Sequence, residues 1–382
     1  MPRLLPSLLR HAHYENPFLP LLLRTCRDLP SARNELRWLQ EHVNSTNPPS
    51  KPKGHARKRL KRLCISRGKG KPLQHILGNQ PFGDLDIKCR PGVLIPRYYH
   101  PPSPDRDCAF QTSDFRSSTE TEAYTTHLAH ILLQHFRTPS PSSPNPTTLR
   151  ILDLCTGTGC IALLLHSLLS LRISSLFLLG IDISPRAIAL AKHNLHSNIH
   201  AGHLSPLSAT QMQFAQADIL RRDAIPEGKW DILITNPPYI SPSGYDRSTS
   251  RSVRAWEPKT ALVPPPPPPS QLPTYAHTKQ NLQWEKDNTV GDAFYPRLFN
   301  IAQRVDAQVV LVEVADMAQA QRVAALAIKA HVWRRCEIWR DWPAGKTVEG
   351  VEIGGRRVEV MGEGEGRAVV LWKRREGLGV WD

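Results

Sequence analysis

The chain has 382 residues, 40% of them hydrophobic, and a formal net charge of +15. That length allows a sizeable core and two domains, and the charge indicates an anionic partner without constraining the fold. The seven cysteines include no C-x-x-C pair, and the histidines form no HExxH motif. We therefore expect neither a disulfide framework nor a metal site, and a reducing compartment fits best.

The first 70 residues are predicted to form a helical domain, because Leu36, Leu39 and Val43 recur at helical spacing. The extreme N-terminus contains arginines and leucine pairs, and it has no acid before Glu15. That composition fits a mitochondrial presequence, and it also fits the first helix of a bundle. Both interpretations stay open.

A strongly basic run covers residues 51–71, with ten Lys or Arg and no acid. Such a run is typical of a solvated helix face. A nucleic-acid-binding patch would use the same cations to neutralise phosphates. Because no aromatic residues interleave with the cations to stack on bases, the sequence does not decide between the two.

Shifts in composition divide the rest of the chain. Residues 71–97 have short apolar runs punctuated by Gly and Pro, which predicts a β-hairpin linker. Residues 98–119 are polar and have neither a helical nor a strand period, which predicts a disordered insertion. Residues 120–382 are predicted to form the main domain. A Pro-rich insertion over about 264–290, which begins with six consecutive prolines, interrupts it.

From residue 148 onward apolar strands alternate with helical segments, which predicts a doubly wound α/β sheet, mostly parallel and covered on both faces. Predicted strands lie near 149–154, 176–181, 212–217, 230–235, 309–314, 333–339 and 367–373, and predicted helices near 159–170, 184–197 and 316–330. The last two strands leave no room for a helix, so we expect an antiparallel hairpin there. The apolar run 161–181 contains His166 and Arg172 and is expected to be a helix, a loop and a strand, not a membrane span.

The segment RILDLCTGTGCIALLL, residues 150–165, combines a strand, a glycine turn and a helix. The strand ends near Asp153, and Gly157 and Gly159 permit a tight turn that a ligand can approach closely. The first N–H groups of the following helix then face that ligand. Alone this signal is weak, because dinucleotide-binding folds carry a similar glycine fingerprint.

Two further acids, Asp182 and Asp218, end the next two predicted strands. An acid at the end of the second strand fits hydrogen bonds to the two hydroxyls of a ribose. Each acid by itself could instead cap a helix, and Asp182 before Ser184 resembles such a cap. Together with the glycine turn, the acids favour a nucleoside at the carboxyl ends of the strands, either NAD or S-adenosylmethionine.

The stretch DILITNPPYI, residues 231–240, ends an apolar strand on Asn236, Pro237, Pro238 and Tyr239. Neither proline offers an N–H, so the chain leaves the sheet at a fixed angle with Asn236 at the rim. An amide nitrogen is a poor nucleophile because its lone pair is delocalised. The side-chain carbonyl of Asn236 and the main-chain carbonyl of Pro237 can hold its two hydrogens, while Tyr239 packs against the flat group. These four candidate catalytic residues favour a methyltransferase acting on a planar nitrogen over a dehydrogenase.

On these motifs the chain resembles class I S-adenosylmethionine-dependent methyltransferases. More narrowly it resembles the HemK/PrmC family, which methylates the Gly-Gly-Gln glutamine of peptide-chain release factors. The narrower resemblance rests on PLQHILGNQPFGDL at 72–85, VLIPR at 93–97 and SVRAWEPKTAL at 252–262. It implies a mostly parallel class I sheet with an antiparallel last strand, S-adenosylmethionine as cofactor, and no metal.

The resemblance also implies partners and a location. The partner would be a release factor, bound on or near the ribosome and docked by residues 1–70. No membrane partner and no direct DNA partner is expected. We expect a monomer in the mitochondrion, or otherwise in the cytoplasm.

By the same resemblance, residues 236–239 would hold the glutamine amide. The cofactor would contact residues at the strand ends: Cys155, Thr156, Gly157, Thr158, Gly159, Asp182, Asp218, Ile219 and Asn236. The chain departs from the family at two places. The Glu-Thr-Glu expected after Arg97 stands at 120–122, and the expected Gly-Asp pair stands at Gly291 and Asp292, each displaced by an insertion.

Two other functions remain open. A DNA or RNA methyltransferase acting on the amino group of adenine or cytosine faces the same chemical problem, although no separate target-recognition domain follows the catalytic half. A nucleoside-binding scaffold without catalysis is the second, and the intact segment 236–239 argues against it.

Overall fold

The computed structural model describes residues 4–46, 53–96, 120–135, 148–173, 175–221, 225–266 and 290–373. The predicted insertion 98–119 lies outside the described residues, as do Arg97 and most of the predicted insertion 264–290. The account of the fold that follows concerns the described residues alone.

Five helices come first along the chain. They are α1 (Pro6–Glu15), α2 (Leu19–Cys26), α3 (Leu29–Thr46), α4 (Lys53–Gly68) and α5 (Leu73–Leu77). Their apolar faces meet in one cluster in which Leu22, Leu39 and Cys64 are fully buried. The first four helices lie in the segment predicted to be helical, and α1 packs as part of the bundle. α5 lies in the segment 71–97 that was predicted as a β-hairpin linker, and it too packs in the bundle, through Leu73 and Ile76.

Most of the basic run, from Lys53 to Gly68, forms α4, and its cations have two different environments. Lys58, Lys61 and Arg62 are exposed on the helix. Arg67 instead lies inside the bundle, where its Nε and Nη2 donate to the two carboxylate oxygens of Glu35 at 2.8 and 2.7 Å. One of the predicted surface cations is thus part of the interior.

A hairpin of β1 (Asn79–Phe82) and β2 (Leu85–Lys88) follows α5, and its strands pair antiparallel as predicted. Two asparagines of a later helix fasten it to the main domain. The N–H of Asp86 donates to Asn198 Oδ1 at 2.9 Å, and that of Lys88 donates to Asn194 Oδ1 at 2.8 Å. These bonds satisfy backbone groups on the outer edge of a two-stranded sheet.

The main domain is a nine-stranded sheet with the order β5-β4-β3-β6-β7-β11-β8-β10-β9. Its strands are β3 (Leu149–Leu154), β4 (Leu176–Asp182), β5 (Met212–Gln216), β6 (Ile232–Thr235), β7 (Val309–Glu313), β8 (Arg335–Trp342), β9 (Val348–Ile353), β10 (Arg356–Met361) and β11 (Glu363–Trp372). Its helices are α6 (Glu120–His135), α7 (Cys160–Leu169), α8 (Pro185–His200), α9 (Ser208–Gln211), α10 (Pro242–Ser248), α11 (Arg251–Trp256), α12 (Tyr295–Arg304) and α13 (Met317–Lys329).

Helices cover both faces of this sheet. Successive residues of β3 point to opposite sides, so Ile151 packs with Leu128 of α6 in one core cluster, and Leu152 packs with Leu298 of α12 in the other. Strands β3 to β7 pair in parallel, whereas β11 runs antiparallel to β7 and β8. The predicted doubly wound class with an antiparallel last strand is confirmed.

The predicted hairpin of the last two strands is wrong. The strands β8 and β11 are antiparallel neighbours, but the chain between them forms β9 and β10, which extend the sheet beyond β8. Gly354 and Gly355 turn between these strands with φ of 58° and 76°, conformations typical of a tight hairpin. Both strands were missed because charged residues interrupt them and β9 is largely exposed, so neither has the apolar run of a buried strand.

The apolar run 161–181 is divided between α7 and β4, as predicted. None of the helices in the described part of the chain has the length and hydropathy that crossing a bilayer requires.

Candidate active site

The carboxyl ends of β3, β6 and β7 lie side by side at one edge of the sheet. Leu154 pairs with Thr235, and Thr235 pairs with Val312, in parallel register. The residues that directly follow these three paired positions therefore lie together at the same rim of the sheet. These residues are Cys155, Asn236 and Glu313. The register by itself brings the start of the glycine turn, the candidate catalytic amide and a buried acid to one place.

The glycine turn after β3 has left-handed backbone at three positions, with φ of 59° at Cys155, 56° at Gly157 and 81° at Gly159. A non-glycine residue in this region costs about 1–2 kcal/mol, so Cys155 is strained. At Gly159 a Cβ atom would lie 3.1 Å from both Ala191 and Phe214, so a side chain would press against both. The turn is thus shaped by α8 and β5 packed behind it.

Asp153 supports this turn from within the core. Its Oδ2 accepts a hydrogen bond from Thr156 Oγ1 at 2.6 Å. Burial raises the pKa of the Asp153 carboxyl to about 7, and the nearby Asp182 acts in the same direction against the Thr156 bond. Thr158 is also buried, and its carbonyl accepts from Asn194 Nδ2 at 2.9 Å. Asp153 and the two threonines therefore serve the shape of the turn.

Asp182 lies at the end of β4 and joins the turn to the start of α8. Its Oδ2 accepts from the N–H of Gly157 at 2.9 Å, and its Oδ1 accepts from the N–H of Ser184 at 2.8 Å. The residue that caps α8 is Ser184, whose Oγ accepts from Ala187 N. The alternative that Asp182 is the helix cap is therefore wrong. Burial raises the pKa of this carboxyl.

Asp218 and Ile219 follow β5 beside Asp182. The N–H of Ala217 donates to the Asp182 carbonyl at 3.0 Å, and Asp218 Oδ1 accepts from Leu220 N at 3.0 Å. The Ile219 side chain is only 4% exposed and packs in the core, which leaves little of its surface for a ligand.

Two exposed apolar side chains border the acids, and the sequence analysis did not single them out. Ile183 is 60% exposed and Leu220 is 40% exposed. Each follows a predicted rim acid by one or two residues, and that spacing is the signal that could have identified them. They give the rim an apolar surface suited to a flat ring.

The rim has the features that S-adenosylmethionine would need. Asp182 would offer its carboxylate to the ribose hydroxyls, and Ile183 and Leu220 would offer apolar surface to the adenine. The N-terminus of α7 begins at the glycine turn and can receive a carboxylate. Among the described residues no group of His, Cys, Asp and Glu has the arrangement of a metal site.

Asn236 is held at the rim by Glu313, the last residue of β7. Its Nδ2 donates to Glu313 Oε2 at 2.7 Å, and the Tyr239 hydroxyl donates to Glu313 Oε1 at 2.8 Å. Pro237 and Pro238 between them are buried. The four candidate catalytic residues thus form one rigid loop, and its side-chain anchor is a buried carboxylate.

Glu313 is a site residue that the sequence analysis missed. It is 2% exposed and also accepts from Thr121 Oγ1 at 2.8 Å and Tyr124 Oη at 2.5 Å, both on α6. The signal was available, because VVLVE is an apolar strand ending in an acid, the same pattern that identified Asp182 and Asp218.

A second set of contacts holds the back of the loop. Gln319 Nε2 donates to the Tyr239 carbonyl at 3.1 Å and to Asp292 Oδ1 at 2.8 Å. Arg322 Nε donates to Asp292 Oδ2 at 2.7 Å. The Gly291 and Asp292 pair, displaced in sequence, therefore lies against the candidate catalytic loop.

The other resemblance segments also adjoin the loop. The N–H of Ile240 donates to the Leu262 carbonyl at 2.8 Å, which places the segment 252–262 alongside it. The N–H of Ile95 donates to Glu257 Oε2 at 3.1 Å, which brings the segment 93–96 to the same region.

Comparison with known proteins identifies relatives of the chain. Residues 127–253, which contain the glycine turn, Asp182 and the loop 236–239, match the model of the Methyltransferase small domain. A Saccharomyces cerevisiae protein described as the mitochondrial MRF1 N(5)-glutamine methyltransferase MTQ1 is 37% identical over 265 residues, which cover 69% of this chain and 68% of the relative.

Two further relatives carry similar descriptions. A probable MRF1 mitochondrial N(5)-glutamine methyltransferase of Schizosaccharomyces pombe is 32% identical, covering 68% of this chain and 73% of the relative. The release factor glutamine methyltransferase of Pasteurella multocida is 32% identical over 53% of this chain and 57% of its own. Among solved structures, the N-terminal domain of human METTL16 is 14% identical, covers 82% of this chain and 83% of its own, and has a TM-score of 0.39.

Proposed function

Because this chain belongs to the HemK/PrmC family of release factor glutamine methyltransferases, we propose that it methylates the side-chain amide of the Gly-Gly-Gln glutamine in a mitochondrial peptide-chain release factor. The chain is a methyltransferase, and S-adenosylmethionine is its methyl donor. When bound, this cofactor supplies an electrophilic methyl group on a sulfonium.

The observation that carries the proposal is the anchored orientation of Asn236. Its Nδ2 is occupied by Glu313 at 2.7 Å, so its Oδ1 is the atom available to an incoming group. The Pro237 carbonyl provides a second acceptor on the same rigid loop. A glutamine amide that donates its two hydrogens to these oxygens is held with its nitrogen in a fixed direction.

Catalysis in this arrangement rests on position. Holding both hydrogens favours localisation of the nitrogen lone pair, and it orients that lone pair along one line. Well-oriented reactants can gain about 7–11 kcal/mol from proximity and alignment. Tyr239 borders the loop and, with its hydroxyl fixed by Glu313, offers a ring face for the planar amide.

For the cofactor we assign the backbone of Cys155, Thr156, Gly157, Thr158, Gly159 and Ile219 and the side chains of Asp182, Asp218 and Asn236, the residues that the family resemblance implied. The structure supports different parts for them. Asp182 and the glycine backbone border the rim, whereas the Ile219 side chain is buried, so the exposed Ile183 and Leu220 are the apolar surface that we assign to the adenine.

The helical bundle is the proposed docking element for the release factor. It contacts the catalytic domain at the segment after the loop, where Ser252 Oγ donates to the Gly70 carbonyl at 2.7 Å and Trp256 lies near His75. The exposed cations of α4 suit a substrate presented on the ribosome, because they can neutralise RNA phosphates. We propose that the enzyme acts as a monomer, in the mitochondrial compartment named for its yeast relatives.

A methyl-transfer assay tests the proposal. The protein is incubated with S-adenosylmethionine labelled in the methyl group and a mitochondrial release factor, and in parallel with the same factor carrying Ala for the Gly-Gly-Gln glutamine. Label is expected in the first factor alone. Label in DNA or RNA instead would assign the enzyme to the amino-methyltransferases, and cofactor binding without transfer to any of these substrates would contradict catalysis.

A further inference from the structure

We propose that Glu313 is a positioning residue that sets the orientation of the Asn236 side-chain amide. Through this orientation, the loop presents the Asn236 carbonyl oxygen, a hydrogen-bond acceptor, to the substrate. This inference deepens the proposed function and rests on it. The reason is chemical. An ionised carboxylate can only accept hydrogen bonds, so the face of Asn236 that meets Glu313 must be its NH₂ group. The carbonyl oxygen then necessarily lies on the other face.

The orientation matters because an Asn side chain is nearly symmetric in shape. Turned by 180°, Asn236 would present NH₂ where the substrate amide also presents NH₂, and two donors would oppose each other. The shape of the pocket cannot prevent this turn, since the oxygen and nitrogen have almost the same size. Only a neighbour that always accepts, or always donates, a hydrogen bond can prevent the turn. Glu313, at 2.7 Å from Asn236 Nδ2, is that neighbour.

Glu313 is itself held in the acceptor role. Its Oε2 accepts from Asn236, Thr121 and Tyr124, and its Oε1 accepts from Tyr239. A carboxylate offers about four lone-pair sites, and four donors point at this one. Three of these donors are hydroxyls, which can also accept, but the Asn236 NH₂ group can only donate, so the carboxyl oxygen that meets it must accept. That contact is the one that imposes the required orientation of Asn236.

The arrangement also links α6 to the catalytic loop. Thr121 and Tyr124 belong to the first turns of α6, and Asn236 and Tyr239 belong to the loop, yet all four converge on one side chain. Displacement of α6 would therefore remove two of the donors that keep Glu313 in place.

The substitution Glu313→Gln tests the proposal, because it keeps the size of the side chain and permits the turned amide. We expect kcat on the release factor to fall about 10²-fold, as for a small misplacement of a reacting group, while the Kd for S-adenosylmethionine stays within about twofold. A double-mutant cycle with Asn236→Ala separates positioning from structure. If Glu313 acts through Asn236, Glu313→Gln has little further effect on kcat in the Asn236→Ala background. Full additivity of the two losses would overturn the proposal.

Glu337→Gln is the matched control. Glu337 is 1% exposed on β8 and accepts from the Trp339 Nε1 at 2.7 Å, so it is an equally buried carboxylate away from the loop. Its substitution is expected to lower Tm and leave kcat within about twofold. A fall in kcat matching that of Glu313→Gln would mean that any loss of a buried carboxylate disturbs the site.

A second readout does not depend on the substrate. In protein labelled with ¹⁵N-asparagine, the Asn236 NH₂ signals are identified by their loss in Asn236→Ala. We expect them shifted downfield and protected from exchange in the wild type, and moved toward ordinary values in Glu313→Gln but not in Glu337→Gln. Unchanged signals in Glu313→Gln would refute the inference. Wild-type protein with the protected signals but no transfer to a release factor would refute the proposed function alone.

Discussion

Glu35 of the helical bundle and Glu313 of the catalytic rim are equally buried, at 2% exposure each, but their charges are balanced in different ways. Glu35 receives two hydrogen bonds from the guanidinium of Arg67. Glu313 receives its four side-chain bonds, within the described residues, from an amide and three hydroxyls, all neutral. One region buries an ion pair, and the other buries a carboxyl group whose hydrogen-bond partners are all neutral.

The difference follows from what each region has to do. An ion pair satisfies itself, so Glu35 and Arg67 can hold the helices together without reference to anything outside the bundle. Neutral donors leave Glu313 with a fixed acceptor character that it can impose on Asn236. A cation at that position would compete with Asn236 for the carboxylate, and it would place a positive charge near the sulfonium of the cofactor.

The largest effect is expected from breaking the ion pair of the bundle. Arg67→Ala leaves the Glu35 carboxylate buried without its partner, which costs about 3–5 kcal/mol of unfolding free energy. Denaturant unfolding measures this loss. The double variant Glu35→Leu with Arg67→Met is the control and should recover most of the stability, because buried ion pairs are often replaceable by apolar residues of similar volume. If Arg67→Ala cost under about 1 kcal/mol, the pair would be solvated and the contrast with Glu313 would fail.

Removing the partner of Glu313 in the catalytic rim should lower the rate of methyl transfer more than the affinity for the cofactor. Asn236→Ala is expected to lower turnover about 10²–10³-fold, equivalent to about 2.7–4 kcal/mol, as for loss of one preorganised polar group. The Kd for S-adenosylmethionine should change much less than turnover, because Asn236 is only one of the residues assigned to the cofactor and Asp182 and the glycine turn are untouched. Steady-state kinetics and calorimetry on the same preparation measure both quantities. Wild-type turnover in Asn236→Ala would remove the catalytic assignment.

Asp182 is a third case to set beside Glu35 and Glu313. Its carboxylate accepts from backbone N–H groups, and the residue is only partly buried. Asp182→Ala is expected to weaken S-adenosylmethionine binding by about 1.5–3 kcal/mol, the range for hydrogen bonds that involve a charged group. Calorimetry gives the affinity, and a thermal melt of the apo protein gives the stability. Wild-type affinity combined with a lower Tm would make Asp182 a support of the turn and no ligand of the ribose.

The smallest effect concerns the surface of the bundle. Changing Lys58, Lys61 and Arg62 to Gln should reduce activity on a ribosome-bound factor by a few-fold. It should also flatten the salt dependence, by roughly 0.9 in logarithmic slope for each phosphate that is no longer neutralised. Activity on a short Gly-Gly-Gln peptide should not change. The control removes three exposed arginines of the main domain, Arg334 just before β8 and Arg356 and Arg357 of β10. Equal losses in the two triple variants would point to net charge and not to a docking face.

Much of the fold was predictable because strands buried on both faces have continuous apolar sequences. The strands β3, β4, β6 and β7 were identified in this way, and the hairpin β1–β2 was identified from its turn residues. The strands β9 and β10 were not, because they lie at the outer edge of the sheet, where exposed charged residues replace the apolar run. β10 pairs with β8 and β9 pairs with β10, so both strands depend on an edge that exists only after the sheet has assembled.

For the site, the sequence alone determined the chemical types at the strand ends: a glycine turn, rim acids and the Asn236 amide before two prolines. Those local patterns are set by backbone geometry, which short segments carry by themselves. The tertiary structure decided how these groups are used. It placed Arg67 inside the bundle and not on its surface, buried Ile219 while exposing Ile183, and gave Asn236 its anchor in Glu313. Asn236 and Glu313 are 77 residues apart in the chain, and only the parallel register of β6 and β7 brings them to one hydrogen bond, so no local pattern could have shown it.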